Sequence, residues 1–115
     1  MMYGDILGKH ITIVVDRPMG SVHPSHADMV YPVNYGYVQG VLGGDGEEQD
    51  AYLLGVDHPV ERSDGVVIAV IRRLNDVEDK WVAAPEGMSF TDEEIMHQTH
   101  FQERYFQIQI YCAGQ

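Results

Sequence analysis

Asp45, Glu47, Glu48 and Asp50 fall within six positions, and the apolar run Ala51-Tyr52-Leu53-Leu54 follows at once. Carboxylates gathered on a turn repel one another unless a hard cation shares them, and an oxygen-only set favours magnesium, manganese or calcium. Gly43, Gly44 and Gly46 allow the sharp turn that such a cluster needs. Residues Ala51 to Val56 read as a buried strand, which would hold the acids at its mouth. The same pattern also describes a solvated acidic hairpin loop, and these residues alone leave both readings open. Asn75-Asp76-Val77-Glu78-Asp79 forms a second acidic turn, flanked by Arg72, Arg73 and Lys80. There too, alternating charges could simply keep a hairpin tip soluble. His23 and His26 could bind a metal, although histidines on a Pro/Ser loop are more often plain surface.

The elements that must position these groups are mostly strands. His10 to Val15 is rich in β-branched residues and is halted by Asp16-Arg17-Pro18. A loop carrying Gly20, Pro24 and His26 follows. Tyr31, Tyr35 and Tyr37 alternate around Gly36, which places them on one face of a strand. A hydroxyl leaving that face for a cleft could donate to a ligand oxyanion. Glu61 to Gly65 reads as a polar turn. Val66 to Ile71 is apolar at every position, as in a strand covered on both faces of a small closed barrel. Lys80 to Ala84 returns as its hairpin partner. Thr91 with Glu94 forms a capping-box signature for a helix expected to run to about Tyr105, with Ile95, Phe101 and Tyr105 inward. Gln107 to Cys112 alternates as a last strand.

The chain of 115 residues is one domain by size. Eighteen acids against seven Lys and Arg give a formal net charge of -11, which argues against direct binding to nucleic-acid phosphates or anionic membranes. An anionic ligand would therefore arrive with metal. Cys112 is the only cysteine, which excludes an intramolecular disulfide and suits a reducing cytoplasm. The apolar runs fall far short of the ~20 residues of a spanning helix. The N-terminal residues lack a signal pattern, so a cytoplasmic protein is expected.

Met29-Val30-Tyr31-Pro32-Val33-Asn34-Tyr35-Gly36-Tyr37-Val38, then Asp45 to Asp50, then Asp76 to Pro85, resemble in order and approximate spacing the soluble family I inorganic pyrophosphatases. The resemblance runs from about Val14 to Tyr105. It implies a mainly β domain, a small closed five-stranded OB-like barrel with a C-terminal α-helix. It also implies hydrolysis of pyrophosphate to phosphate with magnesium, manganese being a possible substitute, and a homo-oligomer. On this reading Asp45, Asp50, Asp76 and Asp79 match metal ligands, with Glu78 an alternative to Asp79. Glu47 stands where the family has the aspartate that helps to activate water. Tyr35, Lys80 and Tyr105 match phosphate-binding positions.

The chain departs from that pattern in three places. Only Val22 to Asp28 separates the turn after the first strand from Met29, where the family carries a longer hairpin that supplies a lysine, a glutamate and an arginine. Arg17 offers a short Val-Asp-Arg match to the arginine. Phe106 follows Tyr105 where the family has a phosphate-binding lysine, and Glu47 is one methylene longer than aspartate. The alternative is therefore a protein that binds phosphate compounds or nucleotides on the same barrel with little or no turnover.

Overall fold

The computed structural model describes residues 3–112. Five strands form the barrel: β1 (His10–Arg17), β4 (Asn34–Leu42), β5 (Glu48–Leu53), β6 (Arg62–Arg73) and β7 (Asp79–Ala84). Their order is β1-β4-β5-β7-β6, and β6 closes the sheet onto β1. All pairings are antiparallel except β5 with β7, which is parallel with Ala51 opposite Trp81. The expected barrel is present.

Between β1 and β4 lies a small hairpin, β2 (Val22–His23) with β3 (His26–Val30), where the Pro and Gly content had suggested only a loop. The helix α1 (Asp92–Glu103) and the strand β8 (Ile108–Cys112) complete the chain. No helix among the described residues is long and apolar enough to cross a membrane.

Strand β6 is longer than its apolar run. Residues 62–66, expected as a turn and its exit, pair with β1, while 69–73 pair on the same edge with β8. Ladder bonds to β1 hold Arg62, Ser63 and Asp64 in the strand although their side chains are polar. Strand β5 likewise starts earlier than its apolar run. Glu48 and Asp50 belong to it, opposite Leu42 and Tyr37 of β4.

The period of two divides each strand between two cores. Ile13, Val38, Leu53, Val70 and Trp81 fill the barrel. Tyr35, Tyr52, Ile71 and Val82 face outward, where Ile95 of α1 covers them. A β-bulge separates Val15 from Arg17 on β1. There the chains approach so closely that a Cβ on Gly36 would fall 1.9 Å from the Val14 carbonyl oxygen, so only glycine fits.

The capping box is formed as expected: Thr91 Oγ1 accepts the Glu94 amide at 3.1 Å, and Glu94 Oε1 accepts the Thr91 amide at 2.9 Å. The helix ends at Glu103, short of Tyr105, whose ring is 59% exposed rather than inward. Its buried face carries Ile95, Thr99, Gln102 and Glu103. Two of these are long polar residues that an apolar-periodicity reading passes over.

Candidate functional site

The covered face of the barrel opens into a cleft of about 470 Å³ beside the end of α1. Its walls include Asp16 and Arg17 from β1, Tyr35 from β4, Asp50 from β5, Arg73 from β6 and Lys80 from β7. His23, His26 and Met29 of the small hairpin close one side, and Tyr105 and Phe106 another. Wider hollows of about 600 and 760 Å³ lie elsewhere on the barrel, but each is lined by a single lysine or arginine, Lys9 or Arg62. Three cations in one cleft decide for the first.

Burial makes these cations effective. Lys80 is 3% exposed and Arg73 6% exposed. Lys80 Nζ donates to Asp50 Oδ2 at 2.5 Å and to Glu78 Oε2 at 2.8 Å. Burial alone would lower the Lys80 pKa, but Tyr35, Asp50 and Glu78 outweigh it and hold the ammonium charged well above its ordinary range. Burial raises the Tyr35 hydroxyl far above its usual pKa, so it stays a neutral donor.

Arg17 Nη1 donates to Tyr31 Oη at 2.6 Å. Desolvation also lifts Asp16 above the usual carboxylate range, against the pull of Arg17. Asp16, read as part of a strand stop, and Arg73, read as a flank of the second acidic turn, were not among the site residues expected from the sequence. The one available signal was Asp16 and Arg17 lying next to each other at the end of a strand.

The two acidic turns do meet. A Cβ on Gly44 would lie 2.8 Å from the Val77 carbonyl oxygen, so glycine lets the loops touch. The Asp45 and Glu78 carboxyls face each other across the two turns, and their interaction lowers the Asp45 pKa and raises that of Glu78. Asp45, Asp50, Glu78 and Asp79 all border a narrow cleft between the turns.

Asp79 points its carboxylate elsewhere, where Oδ2 accepts the Tyr3 hydroxyl at 3.1 Å. Asp79 and Lys80 are adjacent on a strand and so face opposite ways. Asp76 Oδ1 caps the Val77 amide at 2.6 Å, and its Oδ2 lies 3.8 Å from Arg73 Nη1. Glu47 is exposed on the loop tip, and its amide donates to Asp45 Oδ1 at 3.0 Å. Tyr105 reaches the cleft wall from beyond the helix, its hydroxyl accepting from Arg104 at 2.9 Å.

Among the described residues, no three His, Cys, Asp or Glu groups converge as a metal site. The Lys80 ammonium stands between Asp50 and Glu78. The donors are nonetheless all carboxylate oxygens, the chemistry that suits a hard divalent cation. A cation competing for Asp50 and Glu78 would meet Lys80.

No family model matches the chain, and no curated protein matches it. Solved structures do. An inorganic pyrophosphatase from Ehrlichia chaffeensis superposes with a TM-score of 0.69 at 19% identity, covering 95% of this chain and 89% of that one. One from Neisseria gonorrhoeae gives 0.63 at 23% identity over 89% and 76%, and one from Coxiella burnetii 0.64 at 18% over 92% and 86%. The fold is that of the inorganic pyrophosphatases. In this pyrophosphatase fold the cationic cleft and the acidic turns adjoin through Asp50, which borders both.

Proposed function

We propose that the chain is a divergent, shortened family I pyrophosphatase that hydrolyses pyrophosphate to two phosphates with magnesium. The observation that carries this reading is the cleft itself: Arg17, Arg73 and Lys80 face a common space, edged by carboxylates, on a pyrophosphatase barrel. A highly anionic substrate needs cations on one side, and it needs the acids on the other to be neutralised.

Asp45, Asp50 and Glu78 would hold magnesium, Glu78 in the place for which the resemblance offers it as the alternative to Asp79, with Asp76 contributing as the resemblance implies. When bound, the metal supplies positive charge and an acidified water. The chain's own groups do the rest. Lys80 and the two guanidiniums draw the phosphoryl oxygens into the cleft, where charge developing on the leaving phosphate is met by fixed donors. Tyr35 and Tyr105 donate hydroxyl hydrogens to the same oxygens. Water forms a new P–O bond as the bridging P–O bond breaks, its proton passing to a carboxylate. Glu47 is assigned that role on the resemblance, and its loop ties it to Asp45. The domain acts as a homo-oligomer in the cytoplasm.

The test is phosphate release from pyrophosphate, with and without magnesium, for wild type and Asp50→Asn. Magnesium-dependent release that drops by about a hundredfold in the variant is expected. Wild-type protein that releases no phosphate with either magnesium or manganese sinks the reading. One feature favours the alternative, phosphate-compound binding with little turnover: Asp50 and Glu78 are both engaged by Lys80. Calorimetry showing that a pyrophosphate analogue binds without any hydrolysis of pyrophosphate would establish it.

A further inference from the structure

Two of the three cations in the cleft are joined by one buried polar chain. Arg17 Nη1 donates to Tyr31 Oη at 2.6 Å, Tyr31 Oη donates to Gln102 Oε1 at 3.0 Å, and Gln102 Nε2 donates to Tyr52 Oη at 2.8 Å. Tyr52 Oη in turn donates to Glu103 Oε2 at 2.6 Å. From the other end Arg73 donates to the same carboxylate, Nε to Oε1 at 2.9 Å and Nη2 to Oε2 at 2.6 Å. Each hydroxyl accepts one bond and donates the next, so the chain runs one way and ends on Glu103. Tyr31 and Tyr52 are fully buried, and Glu103 is 1% exposed.

This arrangement says more than that a buried charge is paired. An Arg–Glu pair needs only its own two bonds, and replacing it by apolar residues is often neutral. Here the carboxylate takes a third bond, from Tyr52, and the Arg73 guanidinium lies 3.7 Å over the Phe106 ring, which fixes its plane. Nη1 makes only longer ion pairs, 3.8 and 3.9 Å from Asp76 and Glu78, and Arg73 itself lines the cleft. Hydrogen bonds in a buried chain polarise one another, and here the links between the two guanidiniums run through the buried side chains of Tyr31, Gln102, Tyr52 and Glu103.

We infer that Arg73 is an anion-binding residue of the cleft, and that Tyr52, Gln102 and Glu103 are positioning residues that lock it in register with Arg17 to grip a ligand carrying two linked phosphoryl groups. The inference rests on the pyrophosphatase reading and deepens it. It assigns the α1 terminus a role in binding and gives the cleft a cation from β6.

The test is calorimetric titration with imidodiphosphate in excess magnesium, each variant first shown to melt cooperatively. Arg73→Met combined with Glu103→Gln removes the cation without leaving a buried charge unpaired. It should weaken binding about tenfold or more. Tyr52→Phe cuts both bonds of its hydroxyl, from Gln102 and to Glu103, while leaving the ion pair intact. It should weaken binding about threefold in the wild-type background and not at all on top of the double change. Equal losses from Tyr52→Phe in both backgrounds mean a merely structural role and overturn the positioning claim. Unchanged affinity in the double variant overturns the assignment of Arg73 and leaves the pyrophosphatase reading standing. A wild-type protein that binds no imidodiphosphate overturns both.

Discussion

Lys80 Nζ lies 2.5 Å from Asp50 Oδ2, across the parallel pairing of β5 and β7. That contact sets cation against cation: while Lys80 holds Asp50 and Glu78, magnesium must compete for both. Lys80→Met should cost roughly 2 kcal/mol of stability, less than a fully buried pair because Asp50 is partly exposed. The two carboxylates then lose their counter-ion. Magnesium should therefore raise the melting temperature of Lys80→Met more than that of wild type. An equal rise in both proteins would mean that the ammonium and the metal do not share these ligands.

Strand patterns were the readable part of the chain. The apolar run Val66 to Ile71 and its partner Lys80 to Ala84 became the β6–β7 hairpin, and Thr91 with Glu94 became a real capping box, because both signals are local. The cleft was harder to see. Arg73 read as the exit from a strand and Gln102 and Glu103 as ordinary helix polars, since their burial depends on contacts 30 to 71 residues away in sequence. The alternation that put Lys80 into the cleft turned Asp79 towards Tyr3, an outcome fixed by which face of β7 meets α1.

Gly36→Ala tests the tight crossing of β1 and β4. A methyl group would collide with the Val14 carbonyl, and backbone on both sides cannot yield as a flexible side chain would. The expected loss is about 3 kcal/mol or more, measured by urea denaturation. A loss under about 1 kcal/mol would mean the bulge after Val15 relaxes.

His23 carries a pH dependence whose sign is fixed by its surroundings. Burial first, then Arg17 and His26, lower its pKa below the ordinary 6.5. The Ser25 amide also donates to Nδ1 at 3.0 Å, a bond that protonation would destroy. Because the folded pKa is the lower one, the unfolded chain takes the proton first. The contribution of His23 to stability is complete above about pH 6.5 and is lost as pH falls through and below that value. Melting temperature followed from pH 8 to pH 5 should fall less steeply in His23→Gln than in wild type. Parallel curves would remove His23 as the source.

Thr91→Ala separates the stability of α1 from its role at the cleft. The cap accepts one amide hydrogen bond and anchors the reciprocal bond to Glu94, so its loss should cost about 1 kcal/mol in urea denaturation. The other end of the helix is held differently. Ile95 is packed in the outer core, and the Gln102 and Glu103 side chains are bound to Tyr31, Tyr52 and Arg73. Fraying of the first turn should not reach those contacts. Affinity for imidodiphosphate in magnesium should therefore stay within about twofold of wild type while stability falls. A matching loss of affinity would show that the helix moves as one rigid body and that the cleft depends on its whole length.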